Sequence, residues 1–555
     1  MRVSVPLFLL ISFGIAAGAW SQTPGGGRPL AGVVWREPVT VDGAVRDLQY
    51  MREMGIGAVR TDPIRKRATL VAADALDLRV FQELPVALLP AARLLDTLSY
   101  AEETLTRLLR VARPHVSARD FGLARASDTS DSTACAYFAS LADLARRATD
   151  GSVRVYYVTQ FIEDDVCGHT VDYVLLDALG RDDSADMVAR WKASHPDVPV
   201  GLASVGRFVP DDAARGLNVP GSPESQARYL ENVLQRLLRP GESRADAGVF
   251  IYRWRDVRDN RPSPALDLED PYRRSYGLFK ADGEPRPAAD VVSGMLGRGQ
   301  HVFAFASGTT RNDEFLFSTL AGWAVLILLG IAYASSPRLR PMVPRYFAAH
   351  GFYREAVREG RDVLLTASIV LLSALSLAVA VIWYVILEGW RIRPEFLLLF
   401  RMTPRGVQEF LVTLLRSPVL FLLLVGSVYG VALTIWSAIL AFLSRRRYAL
   451  SPAQALMLAI WPRWAVVLLM LAAMVVATLP THLDLAHPAY LVGAWILVTL
   501  VATARTLYDY AAVTRVPVGR LLVGALLNPL VLIVLFLLIL WLRYQPEALF
   551  LWHAV

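Results

Sequence analysis

The chain has few cysteines for its length, only Cys135 and Cys167 in 555 residues. Neither belongs to a Cys-x-x-Cys pair or a Cys/His cluster, so the sequence predicts no metal site and no cofactor held by thiolates. In an oxidising compartment the two thiols would pair, and in the chain-entropy model that disulfide would stabilise the fold by about 3–4 kcal/mol. The alternative is two independent buried thiols.

Charge is scarce in the long apolar runs that follow residue 314, whereas earlier residues mix apolar and charged side chains. About 20 apolar residues cross the hydrocarbon core of a bilayer, so the sequence predicts an all-α bundle of about six transmembrane helices within residues 315–545. The runs are 315–334, 363–387, 418–443, 464–480, 489–508 and 521–542. Asn528-Pro529 is expected to kink the last helix. Ionisable residues inside a membrane span usually belong to ion-coupled transporters, so their scarcity in these runs argues against transport by the bundle.

The net charge of +7 is concentrated in loops between the runs. Arginine-rich loops mark the cytoplasmic side of a membrane, so the charge indicates topology and predicts no nucleic-acid partner. The expected location is the cytoplasmic (inner) membrane, multi-pass, with the N-terminal domain in the periplasm or outside the cell. The loop 388–417 holds five arginines on the expected outer side, against this rule. Within it, Thr403 to Leu415 could lie on the surface as an amphipathic helix.

The N-terminus has the pattern of a signal peptide. Arg2 gives a positive start, Val5 to Ala17 form a short apolar stretch, and Ala17-Gly18-Ala19 offers a cleavage site. We therefore expect a signal peptide at 1–19, an exported domain at 28–300 and a linker at 301–314. The alternative is an uncleaved N-terminal anchor, which would also direct export.

The exported domain alternates short apolar strands with helical patterns. Strands are predicted at 31–35, 57–61, 78–83, 117–123, 153–161, 171–176, 198–204 and 248–254. Eight such units over about 270 residues predict an α/β fold, a (β/α)8 TIM barrel. The alternative, an open doubly wound sheet, would want a glycine-rich phosphate loop after its first strand, and the sequence has none there.

Two parts of this domain resemble the catalytic barrel of family 2 glycoside hydrolases. They are Gly57–Thr61 with Ala72–Pro85, and Ala247–Asp256 with Tyr276–Pro287. The resemblance implies a general acid at the end of the fourth strand and a nucleophile at the end of the seventh. Ala126 and Ser204 stand at those positions, so neither expected glutamate is present.

Glycoside hydrolysis requires two carboxylates that flank the scissile bond. Asp128, Glu163 and Asp177 are the remaining acids near strand ends and are weak catalytic candidates. Sugar binding requires only an aromatic platform and a few directional hydrogen bonds. The substrate-binding candidates are Trp35, Arg60, Glu83, Asp177 and Trp254.

The part after residue 345 loosely resembles Yip-type membrane domains, in an arginine-rich segment followed by five spans and in Leu450–Leu456. The sequence thus predicts a membrane-anchored, glycoside-hydrolase-like pseudoenzyme that binds glycan or scaffolds the cell envelope. Its expected partners are a glycan or polysaccharide, the lipid bilayer and other membrane subunits. Three alternatives stay open: a glycosidase or transglycosylase with displaced carboxylates, a structural subunit of a membrane complex, and a transporter.

Overall fold

The structure is a computed structural model that describes residues 30–209, 215–219, 221–239, 241, 244–256, 275–308, 317–360, 363, 365–390, 407, 410, 414, 417–444, 449–478, 488–543, 545 and 549–550. The predicted signal peptide at 1–19 and most of the surface helix predicted at Thr403 to Leu415 lie outside these residues.

Eight parallel strands close into a barrel in chain order, which confirms the predicted fold class. They are β1 Ala31–Val34, β2 Ala58–Thr61, β3 Arg79–Glu83, β4 Asp120–Arg125, β5 Arg154–Thr159, β6 Tyr173–Asp177, β7 Val200–Val205 and β8 Val249–Ile251. Each lies within three residues of a predicted strand. Because β1 pairs with both β2 and β8, the sheet has no open edge.

Helices surround the barrel and bury their apolar faces on its outer surface. They are α1 Val41–Glu53, α2 Arg67–Ala75, α3 Ala91–Leu94, α4 Leu98–Ala112, α5 Ser132–Thr149, α6 Ser184–Ser194, α7 Pro223–Leu238 and α8 Pro287–Gly297. Polar side chains fix several helix starts. The hydroxyl of Thr40 accepts the Gly43 N–H before α1, and the Asp131 carboxylate accepts the Thr133 N–H before α5.

A disulfide joins Cys135 in α5 to Cys167, with 4.9 Å between the two Cα atoms. Cys167 lies in the loop between β5 and β6, and this loop is also held by Asp165. The Asp165 carboxylate accepts hydrogen bonds from the Tyr157 hydroxyl at 2.7 Å and from the Cys167 N–H at 3.0 Å. Burial raises the pKa of Asp165, opposed by these hydrogen bonds.

Aromatic rings fill the middle of the barrel. Phe81 contacts Phe250 with 4.8 Å between ring centroids, and Tyr156 stacks on Tyr173 at 5.1 Å. Gly122 makes room for this layer, since a Cβ there would lie 2.8 Å from the Glu83 Cγ. Below the rings, the buried Asp120 carboxylate pairs with Arg79 at 2.7 Å and closes the N-terminal end. The barrel interior is therefore packed, and chemistry is left to its C-terminal end.

The C-terminal part is helical. Its helices are α9 Phe317–Ser335, α10 Leu339–Ala348, α11 His350–Glu359, α12 Leu365–Trp390, α13 Pro418–Ser444, α14 Pro452–Ile460, α15 Ala465–Val476, α16 Pro488–Thr514, α17 Val518–Leu526 and α18 Pro529–Arg543. A 3-10 turn, Trp461–Trp464, joins α14 to α15. Within the described part of the chain, five candidate membrane spans are long and apolar enough to cross a bilayer: α9, α12, α13, Pro452–Val476 and Ala489–Thr514.

The last predicted run differs from the expectation of one kinked helix. It is divided into α17 and α18, which meet at Leu527 and Asn528. Pro529 opens α18, where the missing N–H of proline costs nothing. Neither piece alone reaches the length of the five spans.

Two buried charges depart from the expected scarcity of ionisable groups. Arg463 lies within the candidate span Pro452–Val476 and is buried, contacting the Thr503 and Thr506 hydroxyls at 3.3 Å. Asp509 is buried near the end of α16. The predicted run 464–480 begins one residue after Arg463, and the predicted run 489–508 ends one residue before Asp509.

Candidate functional site

A buried ion pair lies at the C-terminal end of the barrel, where loops build the site in barrels of this type. Arg60 of β2 donates to both carboxylate oxygens of Glu83 in β3, at 2.6 Å from Nε and 3.3 Å from Nη2. Its remaining amino group donates to the Ala203 carbonyl and, at 3.4 Å, to the Ser204 hydroxyl. Arg60 therefore crosses the barrel and joins β2 and β3 to β7.

Glu83 also holds groups from the two following strands. Arg125 of β4 lies 3.3 Å from Glu83 Oε2, and the Tyr156 hydroxyl of β5 donates to Oε1 at 3.2 Å. All four of these side chains are buried. Burial acts to lower the pKa of Arg60, but Glu83, Tyr156 and Asp177 outweigh it and raise that pKa above its ordinary value. Arg60 therefore stays charged, and Glu83 is its counter-ion.

Asp177 ends β6 beside this pair and is only half-buried. Its register partner in β7 is Ser204, and its charge acts on Arg60. The structure thus brings together three of the substrate-binding candidates, Arg60, Glu83 and Asp177. Of these, Asp177 is the one that solvent reaches.

The two positions that the hydrolase resemblance assigns to the acid and the nucleophile both lie at the barrel end. Ser204 is in β7 and is buried under Arg60. Ala126 follows β4 directly and has a φ of 48°, in the left-handed region that a non-glycine residue rarely adopts. Such backbone strain is concentrated at functional sites. Neither side chain can exchange a proton as a carboxylic acid does.

Polar atoms without a hydrogen-bond partner surround this end of the barrel. Among the described residues, they include the Thr61 hydroxyl at the end of β2, Gln82 Nε2 in β3, the Ser127 hydroxyl after β4 and Gln160 Nε2 after β5. These atoms are buried, and a buried polar group without a partner costs about 1–3 kcal/mol. Side chains alternate along a strand, so Thr61 and Gln82 share the outer face of the barrel with Val59 and Val80, whereas Ser127 and Gln160 lie in the loops after β4 and β5.

The two tryptophans among the candidates lie elsewhere. Trp35 packs in the core between the barrel and its helices, and its indole N–H donates to Asp47 of α1 at 3.1 Å. Trp254 belongs to the same core and contacts Phe279, with 4.6 Å between ring centroids. The structure therefore brings neither ring into the cluster around Arg60.

The two remaining acid candidates have local partners. Asp128 is buried and accepts a hydrogen bond from the Ser130 hydroxyl at 2.6 Å, within its own turn. Glu163 is exposed on the loop after β5 and lies 3.5 Å from Arg190 of α6. Asp165, two residues further on, holds the same loop together.

Sequence reasoning missed Phe208, Gln160 and Arg125. Phe208 follows β7, is half-buried and contacts Tyr276 with 5.9 Å between ring centroids. It offers the aromatic surface that was expected from the tryptophans. The signal that could have found these residues is position: each lies at or just past the end of a strand.

Comparisons with known proteins give structural similarity only. No protein-family profile matches the chain. No curated protein matches it either. A GH2 β-galacturonidase from Eisenbergiella tayi bound to galacturonate is similar at 15% identity and a TM-score of 0.43, covering 50% of this chain and 52% of that one. A β-glucuronidase from Ruminococcus gnavus is similar at 17% identity and a TM-score of 0.43, covering 50% and 51%. This chain spans about half the length of those structures.

Proposed function

We propose that this protein is a membrane-anchored barrel that binds a saccharide at the C-terminal end of its strands and does not cleave it. The observation that carries the proposal is the polar C-terminal end of the barrel, where solvent reaches the Asp177 carboxylate and where, among the described residues, the Ser127 hydroxyl and Gln160 Nε2 have no hydrogen-bond partner. Sugars present many hydroxyls, each able to donate and accept, so they satisfy such groups. Phe208 adds a ring on which a sugar face can stack.

The carboxylates argue against hydrolysis. A glycosidase needs one carboxylic acid and one carboxylate on either side of the scissile bond. Glu83 is buried, and Arg60, Arg125 and Tyr156 occupy both of its carboxylate oxygens. Of the two acid candidates that end a described strand, Glu83 and Asp177, solvent reaches only Asp177, and one carboxylate cannot supply both roles.

The helical part supports the membrane location. Five spans of sufficient length follow the barrel, so the binding domain is held at a bilayer. We propose that the barrel lies outside the cytoplasmic membrane, in the periplasm or at the cell exterior, where envelope glycans occur. Pairing of Cys135 with Cys167 supports an oxidising compartment.

A residual glycosidase activity is the second candidate, and Asp177 is the observation that favours it. This carboxylate ends a strand, is reached by solvent and lies near the Arg60 charge. It would act as one of two displaced catalytic groups.

Glycan binding is tested with the full-length protein in detergent, on an array of envelope polysaccharide fragments. We expect retention of at least one class of fragment. Asp177→Asn should weaken it about ten-fold, since a hydrogen bond to a charged group contributes about 1.5–3 kcal/mol. The control Asp143→Asn removes an exposed carboxylate of α5 and should change nothing. No retention of any fragment by a folded protein, or equal retention by wild type and Asp177→Asn, would contradict the proposal.

A further inference from the structure

An apolar cavity of about 220 Å³ lies among the membrane helices, far in sequence from the barrel. The end of α9, one face of α10, the start of α12 and the turn Trp461–Trp464 form its walls. Five of its lining side chains are aromatic: Tyr333, Tyr346, Phe347, Trp461 and Trp464. Pockets for drug-sized ligands usually measure about 300–1,000 Å³, and this smaller cavity with apolar walls is suited to a segment of an alkyl chain.

The rim of the cavity has the composition of a membrane–water interface. Tyr333, Phe347 and Trp464 line it and remain substantially exposed, at 46%, 53% and 39%. Half-exposed tyrosine and tryptophan rings concentrate at the level of lipid headgroups. Arg340 donates to the Tyr333 carbonyl at 3.3 Å and ties α10 to the end of α9. The cavity therefore opens where a lipid headgroup meets its chains.

One wall of the cavity holds a donor without an acceptor. Trp461 is 5% exposed, and among the described residues its indole N–H has no hydrogen-bond partner. Buried indole N–H groups normally find a partner. An ester carbonyl of a bound lipid, at the junction of chain and headgroup, would supply one.

A cluster of cations lies next to the cavity. Tyr346, in the cavity wall, contacts the His350 ring with 5.1 Å between centroids, and its carbonyl accepts from His350 Nδ1 at 3.0 Å. His350 Nε2 in turn lies 3.0 Å from the Asp509 carboxylate. Arg354 and Arg505 reach the same carboxylate at 2.9 Å and 3.5 Å. Two guanidinium groups thus share one carboxylate, which leaves a surplus positive charge beside an apolar cavity.

We infer that the cavity binds one chain of an anionic phospholipid, whose phosphate pairs with Arg354 and Arg505. Both guanidiniums are partly exposed, so a phosphate can reach them without displacing Asp509. The apolar walls reject a sugar or a free anion, and the surplus charge favours an anionic over a zwitterionic lipid. This site is separate from the barrel and does not depend on saccharide binding.

Native mass spectrometry of the full-length protein tests the inference, with phosphatidylglycerol and phosphatidylcholine of identical chains as probes. Wild type should bind the first phosphatidylglycerol about ten-fold more tightly than the first phosphatidylcholine, because each cation near a headgroup contributes about 1 kcal/mol. Ala367→Phe fills the cavity and should abolish this first site for both lipids. The control Ala438→Phe places the same ring on an exposed position of α13 and should bind as wild type does.

A charge variant measures the contribution of the lipid headgroup to affinity separately from that of the acyl chain. Arg505→Gln should lower the affinity for phosphatidylglycerol about five-fold and that for phosphatidylcholine less, because the choline cation already compensates the charge of its phosphate. The control Arg298→Gln removes an exposed charge after α8 of the barrel and should have no effect. Equal wild-type affinity for the two lipids, or wild-type binding by Ala367→Phe, would overturn the inference.

A measurement on wild type alone covers the case in which Ala367→Phe does not fold. Phosphatidylglycerol with a photoreactive group on its chain should crosslink to the cavity walls, which are the end of α9, α10, the start of α12 and Trp461–Trp464. Crosslinks confined to other helices would overturn the inference as well.

Discussion

At the scale of single residues, Glu83 compensates the buried positive charges at the C-terminal end of the barrel. Its carboxylate is shared by Arg60, Arg125 and Tyr156, all buried. A buried ion pair contributes little net stability by itself, but removing one member leaves the others as uncompensated charges. Glu83 is therefore a structural counter-ion, whereas Asp177 is the acid available to a ligand.

We predict that Glu83→Gln destabilises the barrel by about 3–5 kcal/mol, because Arg60 and Arg125 lose their shared carboxylate. Hydrogen exchange of the full-length protein, read on peptides from β2, β3 and β4, measures the loss of protection. Glu163→Gln makes the same change on an exposed loop and should leave exchange in these strands unaltered. Equal protection in both variants would show that the cluster does not hold the barrel end together.

Three of the site candidates could be predicted from the sequence, but the contacts that they make in the folded barrel could not. Arg60, Glu83 and Asp177 are polar residues at the ends of predicted strands, which is where a barrel places its site. The contact between Arg60 and Ala203 joins residues on strands far apart in sequence, so only the closed barrel brings them together. Trp35 and Trp254 follow strands too, but they pack in the core between the barrel and its helices, and sequence gives no sign of which way such a ring points.

At the scale of elements, the disulfide fixes the long loop between β5 and β6 to α5. Cys135 and Cys167 are 32 residues apart, so the bond removes substantial freedom from the unfolded chain. The same loop contains Asp165, whose carboxylate holds the loop backbone at Cys167 and Gly168.

We predict that the double variant Cys135→Ala with Cys167→Ala lowers the free energy of unfolding of the barrel by about 3–4 kcal/mol. Reduction of wild type by dithiothreitol should give a similar loss, and reductant should not affect the double variant. Near-UV circular dichroism during urea denaturation of the full-length protein measures both. A double variant as stable as oxidised wild type would contradict this account.

The elements themselves were largely predictable. Short apolar runs that alternate with helical patterns predicted all eight strands, because length and period distinguish the two without tertiary information. The division of the last apolar run into α17 and α18 was harder to predict from the sequence. Asn528-Pro529 signals a distortion, but hydropathy alone does not separate a kink from a break.

At the scale of the whole molecule, one contact relates the end of the chain to the barrel. Phe550 is fully buried and contacts Phe161, just after β5, with 6.2 Å between ring centroids. This contact leads us to predict that residue 550 lies on the barrel side of the membrane, which would require an even number of crossings between the two. Five helices among the described residues qualify as full spans, so α17 and α18 together are our candidate for the sixth crossing.

We predict that a C-terminal reporter lies on the same side of the membrane as the barrel. Fusions to alkaline phosphatase, which is active only after export, measure this side. A fusion after Arg340, between α9 and α12, should be inactive, since α9 crosses once. An inactive C-terminal fusion, together with an active fusion after residue 308, would contradict the sixth crossing.

The central claim is that the barrel binds saccharide without cleaving it. Its most direct test is turnover by the full-length protein against aryl glycosides and the polysaccharide fragments that it retains. We expect binding with no release of product, and equal absence of turnover in wild type and Asp177→Asn. Reproducible turnover by wild type that is lost in Asp177→Asn and kept in Asp143→Asn would contradict the claim and identify Asp177 as a catalytic residue.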